Sequence, residues 1–207
     1  MSKTATIHIV DDDEAMRKSL SLLMKSINME AKSYDSAEDF LDKYSPVEKS
    51  CILLDVRMPG MSGPELQELL PQHNIRSPVI VMTGHGDIST AVKSMKAGAI
   101  DFIEKPFDHE LLINTIHKCI EIDTAETSLH HTNNPEKQNS LKQLDLLTSR
   151  ELEVFEFLVD GKINKVIASD LNLSVRTVEA HRANIMSKLE VHSLSDLVKI
   201  SIYSKMD

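Results

Sequence analysis

The 207-residue chain has no long apolar run. No stretch approaches the ~18–20 apolar residues of a membrane span, so no transmembrane helix is expected. The first six residues lead straight into a strand-like segment with no apolar h-region, so no signal peptide is expected either. Cysteine is scarce: Cys51 and Cys119 both sit in apolar segments, and no Cys-x-x-Cys accompanies the nine histidines. A disulfide scaffold and a zinc site are thereby set aside, His130-His131 included, and two buried reduced thiols in a cytoplasmic protein are expected. Internal repeats and low-complexity tracts are also missing. So is an excess of base, since the net charge of −9 argues against a generic nucleic-acid binder. The charge is uneven, however. Residues 162–188 carry five bases (Lys162, Lys165, Arg176, Arg182, Lys188) against Asp170 and Glu179, and local charge decides whether phosphates are attracted.

The first ~120 residues alternate short Ile/Val-rich runs with longer amphipathic ones. Residues 7–10, 29–34, 51–54, 79–82 and 100–103 are expected strands. Leu20, Leu23, Met24 and Ile27 repeat at helical spacing, Ser36 to Asp39 form a capping box with Asp in place of Glu, Pro64 suits a first helical turn, and Gly98 suits a helix end. Five strands alternating with helices imply an α/β, doubly wound parallel sheet. Residues 123–143 are polar and aperiodic and form the expected linker. From 144 to 207 the pattern is helical only, with helices expected at 149–159, 165–171, 175–189 and 195–203. The domains are therefore 1–122, 123–143 and 144–207.

Ligands of an open parallel sheet bind beyond the carboxyl ends of its strands. Asp11, Asp12 and Asp13 follow the first strand, Asp55 the third, Thr83 the fourth and Lys105 the fifth. Each alone suits a turn or a helix cap. Together they place hard oxygen ligands for Mg²⁺, a carboxylate able to form an acyl phosphate, a hydroxyl and a cation on one rim.

The runs Ile9-Val10-Asp11-Asp12-Asp13, Leu54-Asp55-Val56-Arg57-Met58-Pro59-Gly60-Met61-Ser62-Gly63, Met82-Thr83-Gly84-His85-Gly86-Asp87 and Ala97-Gly98-Ala99-Ile100-Asp101-Phe102-Ile103-Glu104-Lys105-Pro106-Phe107 resemble the receiver domain of response regulators, in the FixJ-like branch. The resemblance implies a flavodoxin-like five-stranded sheet of order 2-1-3-4-5. It implies Asp55 as phosphoryl acceptor and Mg²⁺ (or Mn²⁺) held by Asp12, Asp55 and the Arg57 carbonyl, with Asp11 assisting through water. Thr83 and Lys105 would hold the phosphoryl oxygens, Thr83 and Phe102 would form the switch, and the Lys105–Pro106 bond would be cis. Asp13 matches a position that is merely often acidic, and His85 and Asp87 would tune the site or cap the next helix.

In the second segment, residues 165–171 would support, 172–174 turn, and 175–189 enter the major groove as a recognition helix. Val178, Ile185 and Leu189 would face the core, and Arg176, Thr177, Glu179, Arg182 and Ala183 outward. A solvated basic face is the plain alternative. The runs Thr148-x-Arg150-Glu151, Gly161-x-x-Asn164-Lys165-x-Ile167-Ala168 and Ser174 to Ile185 resemble the LuxR-type helix-turn-helix, a small all-α four-helix domain. By that resemblance Lys165, Arg176, Thr177, His181, Arg182, Asn184 and Lys188 are DNA-contact candidates. The last helix, through Leu194, Leu197, Val198 and Ile202, would pair with its copy, pack on the other three, or do each in part.

The resemblance implies a sensor histidine kinase, promoter DNA and RNA polymerase as partners, a homodimer formed on phosphorylation, and no membrane. Phosphorylation would draw Thr83 inward, let Phe102 fill the space vacated and change the surface of 87–107, which would then dimerise, release the DNA-binding domain, or both. No external product is expected, so the chain is not an enzyme in the ordinary sense. The rivals are an aspartyl-phosphate phosphatase, disfavoured by the absence of a cap domain, and a phosphorylation-independent regulator, disfavoured by the complete Asp11, Asp12, Asp55, Thr83 and Lys105 set.

Overall fold

A computed structural model describes residues 5–47, 49–84, 88–126 and 143–205. The chain divides into two compact units, Met1–Asp87 with Ala97–His130, and Ile88–Lys96 with His131–Asp207. The grouping of Ile88–Lys96 with the second unit has no counterpart in the linear pattern. The helix before the expected linker continues into its first residues, to Glu126. Residues 127–142, with His130-His131, lie outside the described residues, as do His85 and Asp87.

Up to residue 126 the elements are β1 (Thr6–Val10), α1 (Glu14–Ser26), β2 (Glu30–Tyr34), α2 (Ala37–Lys43), β3 (Ser50–Asp55), α3 (Gly63–Leu69) with a 3-10 turn at Leu70–His73, β4 (Val79–Thr83), α4 (Ile88–Lys96), β5 (Asp101–Glu104) and α5 (His109–Glu126). The strands form one parallel sheet of order β2-β1-β3-β4-β5, the order expected. From β1 the chain goes first to β2 on one side, then to β3 on the other. The strand order therefore reverses between β1 and β3, which opens a crevice beyond their carboxyl ends. Val10 pairs in register with Leu54, so the next residues of the two strands, Asp11 and Asp55, stand side by side there.

Alternation along the strands divides the core. Ile7, Ile9, Cys51, Leu53, Ile80, Met82 and Ile103 cluster with Leu20 and Met24 of α1 and Leu112, Ile116 and Cys119 of α5. Each such fully buried Ile or Leu contributes about 1.5–3 kcal/mol. Cys51 and Cys119 are buried thiols with their sulfurs 3.2 Å apart. His8 packs among Tyr34, Phe40 and Tyr44, with ring centroids 5.1–5.8 Å from its own. Local caps set the helix starts. The Asp13 carboxylate accepts from the Ala15 and Met16 amides, and Ser36 Oγ accepts from Asp39 N, while the Asp39 carboxylate pairs forward with Lys43. Pro64 occupies the first turn of α3, where its missing N–H costs nothing.

Beyond residue 142 the second unit contains α6 (Ser149–Val159), α7 (Asn164–Asp170), α8 (Val175–Lys188) and α9 (Leu194–Lys205). Thr148 and Glu151 form a reciprocal capping box, and Gly161, at φ +77°, takes the left-handed conformation that ends α6. Val154, Phe155, Leu158, Ile167, Val178, Ile185 and Leu189 are buried. Leu197 and Val198 of α9 are fully buried as well; Leu194 and Ile202 are half-buried. No described helix is long and apolar enough to cross a membrane.

Candidate functional site

Two carboxylates and an ammonium meet at the crevice. Lys105, which follows β5, places Nζ 2.7 Å from Asp11 Oδ2 and 2.5 Å from Asp55 Oδ1. Asp11 is fully buried and Asp55 nearly so. Burial raises the Asp55 carboxyl above its ordinary value, against the opposing pull of Lys105. Burial alone would lower Lys105, but its hydrogen bonds to Asp11 and Asp55 outweigh that and hold it above its usual value. The other Asp55 oxygen, Oδ2, accepts from Arg57 N at 3.0 Å, which turns the carboxylate toward its own loop. The Lys105–Pro106 bond is cis.

The loop after β1 is organised around Asp12. Asp11 Oδ1 accepts from Asp13 N at 2.9 Å, and the Arg17 guanidinium donates to the Asp11 carbonyl at 2.7 Å. Asp13 caps α1, and Asp12 is exposed. Thr83 is fully buried, its hydroxyl donating to the Gly84 carbonyl at 3.3 Å. Phe102 on β5 is buried at 8% exposure, in register with Val81. Between β3 and α3, Glu38 Oε1 accepts from Met61 N at 3.2 Å. Gly63 presses against the acceptor strand: a Cβ there would stand 2.1 Å from the Asp55 carbonyl oxygen.

The crevice suits a divalent cation. Asp11, Asp12 and Asp55 outnumber the cations beside them, Lys105 and Arg17, and leave net negative charge for such an ion to neutralise. Among the described residues no three acidic, His or Cys side chains form a ready cage. Mg²⁺ binds through one or two carboxylates and completes its shell with water and phosphate oxygens.

In the second unit α7, the turn at 171–174 and α8 form the helix-turn-helix. Ser174 Oγ accepts from Thr177 N at 3.0 Å, and the two hydroxyls lie 2.7 Å apart. Val178, Ile185 and Leu189 face the core as expected. Arg176, Glu179, Ala180, Ala183, Asn184 and Ser187 are exposed on α8, whereas Thr177, His181 and Arg182 are half-buried. The row 176, 180, 183 and 187 runs along one side of the helix. Lys165 is exposed at the start of α7. The Lys188 ammonium is engaged by Glu151 at 2.6 Å. That hydrogen bond, with those from Thr148, holds the Glu151 carboxyl down at about 2.

The model of the response regulator receiver domain matches residues 7–117, and that of the luxR family of bacterial regulatory proteins matches 145–201. The chain is 41% identical over 202 residues to the transcriptional regulatory protein FixJ of Azorhizobium caulinodans, covering 98% of this chain and 94% of that protein. The chain belongs to the response regulators. FixJ of Rhizobium meliloti is 43% identical to the regulator over 95% of each chain. The full-length FixJ structure from B. japonicum superposes with a TM-score of 0.57, at 37% identity and 98% coverage of both chains. The regulator is thus a FixJ-like transcriptional regulator of a two-component system, with a receiver and a LuxR-type DNA-binding domain.

Within the regulator, the rim residues taken from strand ends converge for Asp11, Asp55 and Lys105, while the Thr83 hydroxyl is turned to its own backbone. Four contributors escaped the linear reading: Arg17, Glu38, Gly63 and the Lys188–Glu151 pair. An Asp just before a helical pattern was a visible signal for the Asp13 cap. No spacing rule links Arg17 to a carbonyl six residues earlier, or Glu151 to a lysine 37 residues later.

Proposed function

We propose that this response regulator accepts a phosphoryl group on Asp55 from a phosphohistidine of a sensor kinase. The Asp55–Lys105–Asp11 cluster at the crevice carries this reading. An Asp55 oxygen attacks phosphorus; the new P–O bond forms as the P–N bond to the imidazole breaks, and the freed imidazole takes up a proton. Hydrolysis of the acyl phosphate later returns the aspartate and releases inorganic phosphate, so the regulator is its own substrate and makes no other product. Asp12, Asp55 and the Arg57 carbonyl are the candidates to hold Mg²⁺ or Mn²⁺ directly, with Asp11 acting through water. The ion supplies charge neutralisation of the transferred group. Lys105 stays protonated and binds a phosphoryl oxygen, and Thr83 exchanges its bond to Gly84 for another.

That exchange vacates space which Phe102 fills, and the surface of segment 87–107 changes. A homodimer follows, suited to a pseudo-palindromic promoter. The stripe from Arg176 to Ser187 enters the major groove. Lys165 meets phosphate, and Glu179 accepts from a cytosine amino group. Bound at a promoter in the cytoplasm, the dimer engages RNA polymerase. The test is Asp55→Asn with a small phosphodonor and Mg²⁺, followed by sedimentation and DNA footprinting. Loss of phosphate incorporation and of the donor-induced dimer and footprint is expected; a normal response by the variant overturns the mechanism.

A further inference from the structure

Asp12 is the exposed member of the acidic triplet, and two hydrogen bonds hold the peptide planes on either side of it. The plane between Asp12 and Asp13 is held by Asp13 N donating to Asp11 Oδ1 at 2.9 Å. The plane between Asp11 and Asp12 is held by the Arg17 guanidinium, 2.7 Å from the Asp11 carbonyl oxygen. The Arg17 backbone amide donates to the Asp13 carbonyl at 3.0 Å, the first main-chain bond of α1, which any side chain at this position keeps. A residue whose two flanking planes are fixed has little freedom in the direction of its Cα–Cβ bond. The first turn of α1, itself started by the Asp13 cap, thereby sets the direction in which the Asp12 side chain leaves the backbone.

We propose that Arg17 is a positioning residue for the divalent cation: by clamping the Asp11 carbonyl it orients Asp12 for metal binding. This rests on the reading of Asp12 as a metal ligand. Arg17 contributes through geometry and against its charge. A guanidinium near a cation site repels the cation, so deleting it strengthens metal binding if charge is all that matters and leaves binding unchanged if Arg17 only supports the helix. Weakened binding is the signature of positioning alone, and residues that orient metal ligands typically contribute 10–100-fold in affinity.

The experiment titrates Mn²⁺ into the full-length wild type, Arg17→Ala, Arg17→Lys and Asp12→Asn, reading free Mn²⁺ by electron paramagnetic resonance. Phosphate incorporation from a small phosphodonor is measured against metal concentration in parallel. Alanine keeps the helix propensity of this position, and lysine retains one donor for the Asp11 carbonyl. The expected result is a roughly 10-fold weaker Kd for Arg17→Ala with substantial recovery in Arg17→Lys. The metal concentration for half-maximal phosphorylation should rise in step, and the rate at saturating metal should fall far less. Unchanged or tighter Mn²⁺ binding in Arg17→Ala overturns the proposal, and should that variant not fold, Arg17→Lys binding no better than Asp12→Asn overturns it too. If Asp12→Asn itself binds Mn²⁺ like the wild type, the underlying assignment of Asp12 fails instead.

Discussion

Gly63 offers a sharp test of how the acceptor is held. Its amide donates to the Val56 carbonyl at 3.1 Å, bringing the start of α3 onto the end of β3. A methyl group at this position would stand 2.1 Å from the Asp55 carbonyl oxygen, 3.0 Å from the Asp55 carbonyl carbon and 3.2 Å from Leu54 Cγ. Ordinary carbon–oxygen contact begins near ~3.3 Å, so Gly63→Ala requires about 1 Å of relative movement between α3 and the backbone of Asp55. The clash is with backbone in the middle of the sheet, where no side chain can rotate away. Overpacking of this kind costs about 1–3 kcal/mol. A 1 Å misplacement in a reacting constellation reduces its rate by as much as ~100-fold. The assay pairs urea unfolding of the receiver with phosphate incorporation from a small phosphodonor at saturating Mg²⁺. Both quantities should fall. A variant as stable as the wild type and phosphorylated within twofold of its rate would refute the close-packing argument.

Two further predictions concern pH. His8 is fully buried, with Nδ1 3.0 Å from the Tyr34 hydroxyl, and burial together with Lys32 lowers its pKa to about 4. The unfolded chain binds a proton near 6.5 that the native state refuses, so stability is full above that pH and declines as pH falls toward 4, by about 3 kcal/mol in total. His8→Phe should lack this component when urea unfolding is followed through the amide signals of Ile7 and Ile9 at pH 4.5–7.5; parallel curves for the two proteins would contradict it. Glu151, held down by Lys188 and Thr148, supports the second unit above pH ~4.5, and that support fades as pH drops toward 2. Glu151→Gln keeps the capping box but loses the charge-assisted bond and should cost about 1–2 kcal/mol. Glu151→Ala loses both and should cost more in thermal unfolding, and equal melting of the two variants would count against the Lys188 contact.

Much of this architecture is readable along the chain because its signals are local. The strand runs are Ile/Val-rich and buried on both faces, so β1, β3 and β4 stand out as short apolar blocks within a residue or two of their ends. Two helices of the second unit, α6 and α8, begin at visible caps, Thr148 and Ser174, and the core positions Val178, Ile185 and Leu189 follow from their spacing. Residues outside such patterns are placed by their partners. Thr177 reads as an outward hydroxyl but is half-buried and spent on the Ser174 cap. Lys188 reads as a free cation but is bound to a carboxylate near the start of α6.

The candidate site divides in the same way. That an acidic triplet, an aspartate, a threonine and a lysine each follow a strand is a property of the sequence alone, and a parallel sheet brings all strand ends of one polarity to one rim. Which of them touch is decided by strand order and register. β1 lies beside β3 with Val10 opposite Leu54, so Asp11 and Asp55 share the Lys105 ammonium, while Asp12, one residue on, turns outward. The supports of the site come from side chains reaching backbone across the fold: Arg17 to Asp11, Glu38 to Met61, and the bare face of Gly63 against Asp55. A local pattern encodes periodicity and caps, whereas contacts between distant segments exist only once the sheet has brought them together.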